Sequence, residues 1–264
     1  MAKDKLENKK IGIIGFGHMG NSLMKGLLNS GFKRENIIIS NKLENNRETV
    51  NKAEWIFIAV KPFDVQTALE EIKDIIKNKI IISIAAGINI NMLQNYIRNS
   101  SQKIIRLMPN IFISENSGCI GFYSNKFVNN NEESEIIKLL SHLGSVIKVK
   151  RENDLDSLTI LIGCAPAIIS YFIELLVHYA NLKGLKDKSL DIILSTFSGT
   201  ITYLKRKQIS PITLIKSVST KGGITEAIIN NMEKNKIKEK FLNSMLIGCA
   251  KINEIETKLA KDSL

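Results

Sequence analysis

Three glycines set the first piece of chemistry, in the run Gly15-Phe16-Gly17-His18-Met19-Gly20. GxGxxG alone is a weak pattern. Here it follows an apolar stretch carrying Ile11, Ile13 and Ile14, and it precedes a helical pattern through Leu23, Met24, Leu27 and Leu28. Strand, tight turn and helix in that order is the context in which such glycines serve a dinucleotide pyrophosphate. Gly15 permits the turn, Gly17 lets the backbone approach the anion, and Gly20 lets helix and strand pack closely. The anion would sit on the unpaired N–H groups at the helix N-terminus, with Phe16, His18 and Met19 completing the cradle.

Four further segments have residue types suited to ligands. Ser40-Asn41-Lys42 ends the second apolar stretch. An NAD-specific site usually places Asp or Glu there to hold the ribose 2′-OH. A hydroxyl, an amide and a cation would instead accept a 2′-phosphate, which favours NADP(H) over NADH. Ala59-Val60-Lys61-Pro62 closes the third apolar stretch, at the edge of the sheet where α/β folds bind ligands. Arg106-Leu107-Met108-Pro109-Asn110 is read as lying just past another strand, where the Asn110 amide could face a cofactor ring. In Ser217-Val218-Ser219-Thr220-Lys221-Gly222-Gly223-Ile224-Thr225-Glu226, a hydroxyl-rich glycine loop runs into a helix. Its exposed N–H groups suit a carboxylate, and Thr225 could bond a substrate heteroatom.

The elements that must position these residues alternate. Strands are expected at 10–15, 36–40, 55–60, 79–84, 103–108, 119–123 and 145–150. Helices are expected after the glycines and at 47–53, 64–76, 91–98 and 132–143. That alternation implies an α/β fold, a Rossmann-type, doubly wound parallel sheet. After residue 150 the pattern becomes wholly helical, with long helices expected at 158–182, 192–205, 225–232 and 237–259. We therefore expect a nucleotide-binding domain at 1–151 and an all-helical domain at 152–264, to which the family resemblance given below assigns substrate binding and dimerisation.

Composition narrows the classes. The chain has 264 residues, 44% apolar and 24% charged, as in globular proteins. We expect no apolar run of the ~18–20 residues that cross a bilayer. Cys119, Cys164 and Cys249 are widely spaced and His18, His142 and His178 are scattered, so no metal site is expected. The net charge of +11 comes from lysines spread along the chain without interleaved aromatics, which argues against nucleic-acid binding. The polar stretch 1–10 has no apolar signal core, and a cytoplasmic location is expected.

Taken in order, these pieces resemble pyrroline-5-carboxylate reductases: the GxGxMG turn, the AVKP segment, the stretch Ile84–Gly87, the RxMPN segment, GxxPA at Gly163–Ala167 and the GGxTE loop at Gly222–Glu226. The resemblance covers nearly the whole chain. It implies NAD(P)H-dependent reduction of a cyclic imine to L-proline, the last step of proline biosynthesis. It adds Asn46, Ala85, Ala86 and Gly87 to the cofactor contacts. It places the substrate carboxylate on backbone N–H groups around Gly222 and Gly223, beside Ser219 and Thr220, and sets Thr225 facing the substrate nitrogen as the catalytic residue. It also implies dimers formed through the C-terminal helices, with dimers assembled into decamers.

The chain departs from the family pattern in three places. The family's SGSGPAY becomes Ile162-Gly163-Cys164-Ala165-Pro166-Ala167-Ile168, and Lys221 replaces a proline of the substrate loop. Few residues separate Ser40 from Arg47, where the family carries a helix and a strand. The missing strand would be an edge strand, so its loss would leave the second strand at the edge and thin one wall of the adenosine pocket. The GCxPA segment, Ser170-Tyr171 and the GGITE run also resemble a divergent branch associated with a late competence operon. The second reading is therefore a reductase-like cofactor-binding or regulatory protein with weak or different activity.

Overall fold

The computed structural model describes residues 9–40 and 46–261. Its seven strands are β1 (Ile11–Ile14), β2 (Ile37–Ser40), β3 (Trp55–Ile58), β4 (Ile80–Ser83), β5 (Ile104–Pro109), β6 (Gly118–Ser124) and β7 (Gly144–Lys148). They form one sheet in the order β2-β1-β3-β4-β5-β6-β7. The edge position expected of the second strand is observed. Every neighbouring pair is parallel except β5–β6. The doubly wound, predominantly parallel sheet is as expected, and that one antiparallel pair is its departure. Only residues 110–117, a 3₁₀ turn at Ile111–Glu115, join β5 to β6, and a parallel return needs a crossover of a dozen or more residues.

Helices α1 (His18–Asn29), α2 (Asn46–Lys52), α3 (Val65–Glu70), α4 (Ile90–Ile97) and α5 (Asn130–Ser141) cover the sheet. The strands read as unbroken apolar runs because alternate residues enter two cores. Ile11, Ile13, Trp55, Phe57, Ile105 and Leu107 pack on one face. Ile14, Ile56, Ile58, Ile81 and Ile104 pack on the other.

The helix expected at 64–76 is shorter than its apolar pattern suggests. Beyond Glu70 the bonds tighten, with Ile72 N–H donating to Leu69 and Ile75 N–H to Ile72. The remaining helices are α6 (Glu152–Leu158), α7 (Ala165–Leu182), α8 (Ser189–Lys207), α9 (Pro211–Val218), α10 (Ile224–Lys234) and α11 (Ile237–Lys261). A π-helical segment, Thr159–Cys164, interrupts the long helix expected at 158–182. Helix α9 was not expected. It places Ser217 and Val218 within a helix and leaves 219–223 as the loop.

By compactness the chain divides into one unit of 1–164 with 249–264 and another of 165–248. Helix α6 and the end of α11 thus group with the sheet. A second expectation is overturned in the same region. The helical span Glu152–Leu182 is long and apolar enough to cross a membrane, and only 11% of its most apolar window is buried.

Candidate functional site

In the sheet unit, the carboxyl ends of β1, β2 and β3 bring the nucleotide-type residues together. The Gly15 N–H donates to the Ser40 carbonyl at 3.3 Å, and the Ala59 N–H donates to the Ile14 carbonyl at 2.7 Å. The turn therefore sits where the order 2-1-3 reverses direction, the crevice where open α/β sheets bind ligands.

The glycines have the properties their roles need. Gly15 has φ +94°, and a Cβ there would lie 2.6 Å from Val60 N. A Cβ on Gly20 would lie 2.2 Å from the Gly15 carbonyl oxygen. Gly17 faces open space. It caps α1 without a side-chain bond, and no acidic residue occupies the first turn. An anion there meets helix N–H groups that no carboxylate has taken, so the residues present fit a dinucleotide pyrophosphate. Phe16, Gly17 and His18 are exposed around the turn, whereas Met19 packs partly against the core.

Other expected cofactor residues are placed less directly. The Ser40 hydroxyl is buried and donates to Asn46 Oδ1, and Asn46 Nδ2 donates to Glu71 at 2.6 Å. Ser40 thus supports Asn46. Asn41 and Lys42 lie outside the described residues. Lys61 is exposed beside Pro62, which opens a 3₁₀ turn at Pro62–Asp64. The Ala85 N–H donates to the Ser83 hydroxyl at 3.3 Å, and Ala86 is half-buried. Gly87 has φ +72° and packs on Ile255 of α11.

The RxMPN segment lies largely within β5, as the strand expected at 103–108 implies, rather than just past it. Pro109 ends that strand. Asn110 is buried, and its Oδ1 accepts the Cys119 N–H at 3.2 Å, which orients the amide. Met108 Sδ lies 3.7 Å from where a Gly163 Cβ would be. That contact brings the π-helical segment against β5.

Arg106 opens the RxMPN segment but has no role assigned from sequence. It is 1% exposed and donates to Glu152 at 2.8 Å and to Asp156 at 2.9 Å, both on α6. Glu152 also accepts the Ile90 N–H that opens α4. Burial pushes the Glu256 carboxyl of α11 up; Asp156 and Glu152 reinforce this and Arg106 opposes it. Next to Asn46, Arg47 forms a bidentate pair that holds the exposed Asp74 carboxyl below its ordinary range.

In the helical unit, the loop between α9 and α10 carries the expected substrate residues. Gly222 has φ +74°, a conformation that favours glycine. A Cβ on Gly223 would collide with the Thr220 hydroxyl at 2.5 Å. The Gly223 N–H donates to the Thr220 carbonyl. Gly223 caps α10 without a side-chain bond, and Thr225 is the second residue of that helix, half-buried. Ser219 Oγ is enclosed and has no hydrogen-bond partner among the described residues.

Known proteins align along nearly the whole chain. A pyrroline-5-carboxylate reductase from Aquifex aeolicus is 30% identical over 245 residues, covering 87% of this chain and 91% of its own length. The chain belongs to the pyrroline-5-carboxylate reductase family. The family model described as pyrroline-5-carboxylate reductase dimerisation matches residues 152–255. One described as NADP oxidoreductase, coenzyme F420-dependent, matches 10–47 and 41–87. The crystal structure of Plasmodium falciparum pyrroline carboxylate reductase with NADP bound is 30% identical, with a TM-score of 0.89, covering 95% of this chain and 99% of that one. A Coxiella burnetii pyrroline-5-carboxylate reductase structure is 26% identical with a TM-score of 0.84, covering 94% and 98%.

Proposed function

We propose that this chain reduces 1-pyrroline-5-carboxylate to L-proline with NADPH, as an oxidoreductase acting on a CH–NH group. The single observation that carries this reading is the near full-length relationship to reductases of that name, one of them solved with NADP bound. The protein is a homo-oligomer, and dimers formed through the helices of 152–255 are proposed as its unit, with decamers built from them. The domain boundary at 151/152 is likewise proposed; the dimerisation match begins at 152. A cytoplasmic location is proposed because the free thiols Cys119, Cys164 and Cys249 suit a reducing compartment.

The residues divide the work. Gly15, Gly17 and Gly20 with the N-terminus of α1 would hold the pyrophosphate. The ends of β3, β4 and β5, through Ala59–Pro62, Ala85–Gly87 and Asn110, would line the rest of the dinucleotide site. A dinucleotide held by these residues would supply the hydride that reduces the imine carbon. The chain's own residues hold the substrate: the loop N–H groups and the Ser219 and Thr220 hydroxyls take its carboxylate. The Thr225 hydroxyl takes the ring nitrogen, which gains a proton as C=N becomes CH–NH. Such chemistry needs orientation more than a strong acid or base, which suits a site whose polar groups are hydroxyls and amides.

The test follows NADPH oxidation by its absorbance with pyrroline-5-carboxylate. Wild-type turnover is expected, with kcat/KM reduced about tenfold or more in Thr225→Ala, roughly 1.4 kcal/mol of transition-state stabilisation. No turnover in wild type that binds NADPH would sink the reading.

A further inference from the structure

We propose that Glu226 sets the affinity of the substrate loop for carboxylates: its carboxylate occupies, within the chain, a backbone N–H that the substrate carboxylate must take over. This rests on reading the 219–223 loop as the carboxylate site. Glu226 Oε2 accepts the Gly222 N–H at 2.7 Å. The neighbouring Gly223 N–H is already committed to the Thr220 carbonyl at 2.9 Å. Of the two glycine N–H groups, Gly222's is therefore the one a ligand can recruit without breaking the turn, and it is held by the same chemical group that the substrate presents.

The arrangement follows from local structure. Glu226 is the third residue of α10, where a long acidic side chain reaches back over the first turn. Its negative charge is favoured there by the exposed N–H groups and the helix dipole. The left-handed Gly222 turns its N–H toward that side chain. An incoming carboxylate thus meets at Gly222 a donor that Glu226 has to release.

The consequence is a threshold that every carboxylate entering the loop must pass. A tethered carboxylate competes at a local concentration that a free small anion cannot match. A simple carboxylate would gain one bond by displacing another of equal kind. A ligand that adds contacts of its own, such as a ring nitrogen against Thr225, can displace Glu226 with net gain. Glu226 would therefore raise the KM for substrate modestly and the inhibition constant for small carboxylates alike, keeping the loop clear of common anions.

The experiment compares the full-length wild type with Glu226→Ala and Glu226→Gln. In Glu226→Ala, KM for pyrroline-5-carboxylate falls about fivefold with kcat unchanged, as expected if the N–H is available about a fifth of the time. Acetate inhibits that variant at lower concentration than wild type, and Glu226→Gln, which keeps an acceptor oxygen, falls between. The KM difference persists in ~1 M salt, where the Debye length is about 3 Å and a remote charge is screened. An unchanged or higher KM, or a gain that vanishes at high salt, overturns the proposal; a residue that only capped α10 would lower thermal stability and raise KM. Failure of the reductase reading is separable. If wild type does not turn over, acetate is titrated while the Gly222 amide is followed by NMR. A shift at lower acetate in Glu226→Ala than in wild type supports the proposal, and equal responses overturn it.

Discussion

At the scale of residues, Gly17 and Gly20 are one turn of helix apart but differ in what a methyl group would meet. A Cβ at Gly20 lies 2.2 Å from backbone oxygen, and backbone cannot step aside as a side chain can. A Cβ at Gly17 meets nothing. Gly20→Ala is therefore expected to lower thermal stability by about 1–3 kcal/mol, the usual cost of forcing atoms into a packed contact. It should also weaken NADPH binding, because α1 no longer starts against the turn. Gly17→Ala should melt with wild type yet lose affinity for NADPH, since its methyl fills the space an anion would enter. Thermal melts with and without NADPH, beside a fluorescence titration, check both. Equal affinity of Gly17→Ala and wild type would remove the pyrophosphate from this turn.

At the scale of elements, the charged cluster beneath α11 joins segments remote in sequence. Arg106 of β5 pairs with Glu152 and Asp156 of α6, and Glu256 of α11 shares their field. Because the folded protein holds the Glu256 proton more tightly than an unfolded chain with the ordinary value of 4.5 would, stability falls as pH rises from about 4.5 through the raised value. Glu256→Gln removes that penalty. Its melting temperature should exceed wild type near pH 8 and match it near pH 4; the same gain at both would exclude the carboxyl as its source. The cluster also marks a limit of sequence reading. The glycine turn was legible because its strand, turn and helix are contiguous, and β1 to β5 were legible because alternate residues feed two cores. Arg106 pairs with residues 46 and 50 positions away, which no local pattern encodes. The direction of β6 depends on the length of the connection before it, since an apolar strand reads alike both ways. Helix α9 had a local signal, Ser210 accepting the Thr213 N–H ahead of Pro211 at the first turn, but its eight residues are short beside the long helical patterns around it. The Gly222–Glu226 bond is local as well; seeing it required knowing that Gly223, rather than a serine or threonine, caps α10.

At the scale of the whole molecule, large apolar side chains lie open to solvent in the single chain: Tyr171 at 64%, Leu182 at 72% and Leu246 at 63%. A surface of this kind marks a contact with another protein or with lipid. The apolar helical span Glu152–Leu182 makes the choice concrete, because by length and composition it would suit a bilayer. Membership of a family with a dimerisation model over 152–255 favours protein contact. In that case the apolar area is stabilised by a second copy and only looks lipid-like when one chain is considered alone. Purified without detergent, the chain should sediment as a dimer or a multiple of it and should not float with phospholipid vesicles. Leu175→Glu combined with Leu176→Glu places two charges on exposed apolar positions of α7. That pair should lower the sedimenting mass, because an unpaired charge in a desolvated interface costs several kcal/mol, while NADPH binding by the sheet unit persists. A wild-type monomer at micromolar concentration, or recovery of the chain with the vesicles, would instead assign the apolar surface to something other than a second copy.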